Sequence, residues 1–173
     1  EIQAQFLAQY AINELGLYRF VILYPEETFG QNLMELFSKH VESLGGTIVE
    51  SLHYDRSQND FKKQILKIGG IPDDKLKKQV LRDLKNGTQS KPLDDQGTFS
   101  RPVVEGGVFE EGDVEGLKVS LELNYDAIFI PGLYDKVGLI APQLAFYNIE
   151  KVRLLGTNGW NSRKLVDSAR KYL

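Results

Sequence analysis

The 173-residue chain has no cysteine, only two histidines, and one residue each of methionine and tryptophan. Without thiols it can hold no disulfide framework, no thiolate zinc site and no cysteine nucleophile. No apolar run approaches the ~20 residues that a membrane-spanning helix needs. No G-x-G-x-x-G follows the first apolar run, where Pro25-Glu26-Glu27 stands instead, so a dinucleotide pyrophosphate has no cradle. A P-loop lysine motif and a G-x-S-x-G elbow are absent too. His40 and His53 lack the H-x-x-x-H spacing that chelates a metal. No cofactor, no metal site and no catalytic residue is therefore expected. Glu26-Glu27 can be read as an acid–base pair, but adjacent acids ahead of a helix more often complement its dipole. Twenty-one basic against twenty-four acidic residues give a net charge of −3 without a broad basic patch. That balance argues against nucleic acid as a partner.

What is present is a globular composition, 42% apolar and 26% charged, long enough for one domain that buries roughly 70% of its unfolded surface. Helix and strand patterns alternate along it. Residues 3–15 carry Phe6, Leu7, Tyr10 and Ala11 at helical spacing and stop at Gly16. Arg19 to Tyr24 (RFVILY) is a nearly continuous apolar run, as in a strand buried on both faces. Thr28 and Gln31 match a capping box opening a helix with Leu33, Phe37, Val41 and Leu44 on one stripe, closed by Gly45-Gly46. Thr47 to Tyr54 is a second strand, and Ser57 with Asp60 opens a helix bearing Phe61, Ile65 and Ile68.

From about 70 to 124 the periodicity fades, with a charged helical piece at Asp73 to Lys85 and then Gly, Pro, Ser and acid. This stretch reads as an insertion or long loop. Alternation resumes with a strand at Tyr125 to Ile130. A helix at Asp135 to Tyr147 follows, with Pro142 set to kink it or shift its start. A strand at Lys151 to Leu155 precedes a last helix, capped by Ser162 and turning Leu165, Val166 and Ala169 inward.

Buried strands joined by helices require right-handed crossovers and a parallel sheet covered on both faces. The expected fold is a three-layer αβα, flavodoxin-like arrangement with strand order 2-1-3-4: a single α/β unit over 1–173 with the insertion at 70–124. In such sheets ligands sit beyond the carboxyl ends of the strands, where strand order reverses. Those ends carry Tyr24 to Phe29, Tyr54-Asp55-Arg56, Leu133 to Lys136 and Thr157 to Trp160. Aromatic rings, amides, hydroxyls and both signs of charge suit a small polar molecule. The plainer alternative is that the rings only cover the sheet ends.

Four segments together resemble a known family. They are Tyr24-Pro25-Glu26-Glu27-Thr28-Phe29-Gly30-Gln31, Leu44-Gly45-Gly46-Thr47-Ile48-Val49, Tyr54-Asp55-Arg56-Ser57-Gln58-Asn59-Asp60-Phe61, and Tyr125 to Pro131 with Leu154 to Ser162. This series looks like the second lobe of type I periplasmic binding proteins, the amino-acid-type receptors of ABC transporters. Its later part is similar to lipoproteins of the penicillin-binding protein activator type. The likeness covers 1–70 and 124–173.

The resemblance implies one half of a clamshell whose first lobe belongs to the same parent chain; Glu1 falling inside a helix pattern fits a piece of something longer. It implies a non-enzymatic domain, periplasmic or anchored as an outer-membrane lipoprotein, that closes over a small polar, amino-acid-like ligand and works with an ABC permease. It also implies an aromatic ligand contact at Phe29 and an acid after the third strand. The latter position falls at Lys136, where a lysine would repel a ligand ammonium. An anionic ligand, a peptide-like ligand or none stay open, as does a solvated charge at Lys136 or a packing role for Phe29. The expected ligand-facing residues are Phe29, Tyr134, Lys136, Asn158 and Trp160. The alternative is a regulatory lipoprotein domain that contacts a cell-wall synthase through the 70–124 insertion. A flavodoxin-like or sugar-processing enzyme is a remote third reading.

Overall fold

The computed structural model describes residues 2–71, 123–149 and 151–172. Most of the expected insertion, including the helix expected at Asp73 to Lys85, lies outside the described residues. Helix α1 (Ile2–Gln9) runs into a π turn over Tyr10–Glu14. Strand β1 (Arg19–Pro25), helix α2 (Thr28–Ser43), strand β2 (Thr47–Tyr54) and helix α3 (Lys62–Ile68) follow. Strand β3 (Ala127–Ile130), helix α4 (Tyr134–Phe146), strand β4 (Arg153–Gly156) and helix α5 (Arg163–Ala169) complete the order, with short 3-10 turns at Asn158–Trp160 and Arg170–Tyr172. Among the described residues, no helix is long and apolar enough to cross a membrane.

The four strands form one parallel sheet in the order β2-β1-β3-β4, the expected arrangement. Period-two alternation divides the central strands between two cores. Phe20 and Ile22 of β1 join Ala127 and Phe129 of β3 on the α1–α2 side. Val21 and Leu23 join Ile128 and Ile130 on the side of α3, α4 and α5. On the first side Phe37 stacks on Phe129 at 4.2 Å between ring centroids and receives Phe20 edge-on at 5.4 Å. Such aromatic contacts add about 0.5–1.5 kcal/mol each beyond the area they bury.

Local details depart from the expectations. Leu15 N–H donates to Tyr10 C=O, the π pattern, and α1 lays Ala4, Ala8, Ala11 and Ile12 on the core. Phe6 and Tyr10 of the expected apolar spacing face outward, Phe6 68% exposed. The capping box at Thr28 is not formed: Glu27 is the N-cap, and its carbonyl accepts from Gln31 N–H. Helix α3 starts at Lys62, whose N–H donates to Asp60 Oδ1, rather than at Ser57. Helix α4 passes through Pro142 within one continuous span. Ser162 is the N-cap of α5 without a side-chain cap bond. Val166 is 53% exposed rather than inward, because only Leu165 and Ala169, four apart, meet the core.

The amino ends of the strands are closed by short-range polar contacts. Asp126 Oδ2 accepts from Tyr18 N–H and Arg19 N–H, each at 2.8 Å, tying the start of β1 to the residue before β3. The end of α2 closes by Gly45 N–H to Glu42 C=O and Gly46 N–H to Val41 C=O, so few helix carbonyls are left open.

Candidate functional site

The parallel sheet brings four turns to one rim at its carboxyl edge. These are Glu26 to Phe29 after β1, Asp55 to Phe61 after β2, Pro131 to Leu133 after β3 and Thr157 to Asn161 after β4. Four helices begin at this rim, and none of their N-caps, Glu27, Phe61, Leu133 or Ser162, closes its helix with its own side chain. The positive ends of two longer helices, α2 and α4, therefore face the rim.

Phe29 is 55% exposed on the first turn of α2, with Leu133 exposed at the mouth of α4. Asn158 is exposed and Tyr134 half-buried. Trp160 is half-buried, with its indole Nε1–H donating to Ile130 C=O at 3.1 Å. The indole lies so close to Gly156 that a Cβ there would collide with it. Trp160 thus covers the ends of β3 and β4, in line with the plainer reading of the rings, while the rest of the rim stays open.

Lys136 is half-buried and turned onto the segment after β2. Its ammonium donates to Gln58 C=O at 2.8 Å and to Asn59 Oδ1 at 3.2 Å. Two helical turns along α4, Gln143 grips the same segment: its Nε2 donates to Asn59 C=O at 3.0 Å, and its Oε1 accepts from Phe61 N–H at 2.8 Å. These contacts span 77–84 residues of sequence, which is why spacing alone missed Gln143.

The turn is also closed from within. Asp55 accepts from the backbone and hydroxyl of Ser57, and these bonds, with the Lys136 charge nearby, hold its carboxyl below the usual aspartate range. Gln58 Nε2 donates to Asp60 C=O at 2.7 Å and to Gln64 Oε1 at 2.9 Å, and Gln64 Nε2 donates to His53 C=O at 3.0 Å. Arg56 reaches across the rim to Glu27 at 3.4 Å. Beside the turn, a groove of about 560 Å³ is lined by Glu26, His53, Asp55, Gln58 and Lys63. A second, about 520 Å³, runs along the outer edge of β4 under Lys151, Arg153 and Lys171, away from the tips.

Beneath the rim, Tyr54 is 1% exposed, packed edge-on against Phe61, and its hydroxyl has no hydrogen-bond partner. Burial first, then the Asp135 and Glu27 carboxylates, push its pKa up, so the phenol stays protonated. Its oxygen occupies the space where a Cβ on Gly132 would stand. No local pattern around Gly132 points to the tyrosine that requires it, which comes from β2.

Among the described residues, no group of three or more histidines and acids is placed to hold a metal. The rim exposes the acids Glu26, Glu27, Asp55 and Asp135 as well as the apolar Phe29 and Leu133. Charge, hydrogen bonds and hydrophobic contact are all present on this surface.

No protein-family model matches the sequence, and no curated protein matches it. Solved structures do match the fold. A leucine-binding protein from Thermotoga maritima aligns over 97% of this chain at TM-score 0.60 and 18% identity. A type 1 periplasmic binding protein from Bordetella pertussis aligns over 98% at TM-score 0.59 and 15% identity. An ABC-transporter solute-binding protein from R. palustris, solved with benzoate, aligns over 96% at TM-score 0.56 and 12% identity. The fold is that of a type I periplasmic binding protein lobe. The chain spans about a third of the length of these structures, 33%, 31% and 31% respectively.

Proposed function

We propose that the chain is one lobe of an extracytoplasmic solute-binding receptor that serves an ABC transporter, without catalytic activity of its own. The observation that carries this reading is the open rim at the carboxyl ends of a β2-β1-β3-β4 sheet, on a fold shared with proteins named for binding leucine or benzoate. A second lobe would close on this rim, and contacts made only in the closed state would shift an open–closed equilibrium toward capture. Phe29 would supply the apolar contact, Tyr134 and Asn158 the polar ones, and Trp160 the wall behind them. The ligand class is a small polar molecule with an apolar part, amino-acid-like or an aromatic acid.

Two-dimensional amide NMR of the chain, titrated with L-leucine and with benzoate, tests this. Shifts confined to Phe29, Tyr134 and Asn158 and their turns are expected. Phe29→Ala and Asn158→Ala should weaken the response while leaving stability within about 0.5 kcal/mol, as for exposed positions. No shift with either solute, or shifts centred on the β4 edge, would overturn the assignment.

A further inference from the structure

We propose that Lys136 and Gln143 act together as a two-point clamp from α4 onto the turn at Gln58 to Phe61, so that Lys136 is a positioning residue of the rim. The two side chains stand seven residues apart, on one face of the helix. Between them they engage three backbone groups and one side chain of a segment that has no regular structure: Gln58 C=O, Asn59 C=O, Asn59 Oδ1 and Phe61 N–H.

The clamp has two consequences. Phe61, whose N–H it satisfies, is fully buried against Tyr54 and is the N-cap of α3, so the clamp holds the residue from which that helix starts. The turn also carries Arg56, which pairs with Glu27 at the N-cap of α2. Helices α4 and α2 are thereby joined across the rim through one turn. The Lys136 charge is engaged inside the lobe by two oxygens and is not offered to a ligand anion. Preorganisation of this kind lowers the ordering cost of binding. That the clamped turn serves a ligand rests on the receptor reading above; the clamp itself does not.

Hydrogen exchange of the 173-residue chain separates the two. In Gln143→Leu the Phe61 amide should exchange about tenfold faster, the size expected for loss of one net hydrogen bond. In Lys136→Met the Gln58 and Phe61 amides should exchange faster by about threefold or more, with β1 amides unchanged. Lys136→Arg, which keeps charged donors, should restore most of the protection. Gln143→Glu keeps the acceptor for Phe61 and loses the donor to Asn59, so its effect should be the smaller of the two Gln143 changes. Unchanged exchange in Lys136→Met would overturn the clamp. So would loss of a benzoate or leucine response in Lys136→Met with exchange intact, which would make the lysine a ligand contact. A wild-type chain that binds neither solute would sink the receptor reading and leave the exchange result standing.

Discussion

The two ends of the sheet are built on opposite terms. At the amino ends Asp126 answers two backbone N–H groups of the segment entering β1, and the exit of α2 folds back on its own carbonyls. At the carboxyl ends four helices start without a side-chain cap from their own N-cap residues, and apolar Phe29 and Leu133 stand in solvent. Capping is worth about 1 kcal/mol per helix, so the open end forgoes stability that the closed end secures.

Removing the closure should produce the largest effect. Asp126→Ala strips a charged acceptor from two backbone donors and should cost about 3 kcal/mol in denaturant unfolding; a loss below 0.5 kcal/mol would erase the contrast between the ends. Next comes the floor of the rim. Gly132→Ala drives a Cβ into the Tyr54 hydroxyl and should cost about 2 kcal/mol by overpacking. In a Tyr54→Phe background much of that cost should vanish, because the oxygen it strikes is gone. Tyr54→Phe alone should be neutral or stabilising, since it removes a buried hydroxyl with no partner. Additive effects in this double-mutant cycle would mean that the two residues do not meet.

The smallest effect is a pH dependence at the rim itself. Asp55 titrates below the usual aspartate value because its ionised form accepts two bonds from Ser57. A depressed folded pKa means that the turn's contribution is complete above the ordinary value. It is lost only as pH falls below that value and through the folded pKa. Carbon-13 NMR of the Asp55 carboxyl should show the low midpoint, and Ser57→Ala should return it toward the ordinary range. A midpoint unmoved by that change would assign the shift to Lys136 instead.

The sheet was legible because its signals are local and repeated. Thr47 to Tyr54 carries β-branched and aromatic residues between turn signals, and the structure forms β2 over the same residues. Strand order followed from right-handed crossovers and coverage of both faces. Helix starts were less legible. Thr28 and Gln31 satisfy the capping pattern, yet the chain places the boundary one residue earlier, at Glu27. Val166 falls on the apolar spacing of the last helix, but the short α5 reaches the core with only one face.

The wiring of the candidate rim was not legible. Phe29 lies in the first turn of α2, Tyr134 and Lys136 in the first turn of α4, and Asn158 and Trp160 in the 3-10 turn after β4. What Lys136 and Trp160 bind could not be read, since Gln58 and Ile130 approach them only after the sheet assembles. Asp126 was hidden for the same reason: its partners lie more than a hundred residues upstream.

The chain has a single indole, and it is moored to a β3 carbonyl at the edge of the rim. Excited at the red edge, beyond tyrosine absorption, the chain therefore emits from one known address, without the mixture of indoles that blurs most spectra. A solute settling on the tips, or a second jaw sealing them, would report itself in the colour and intensity of that light with no label attached.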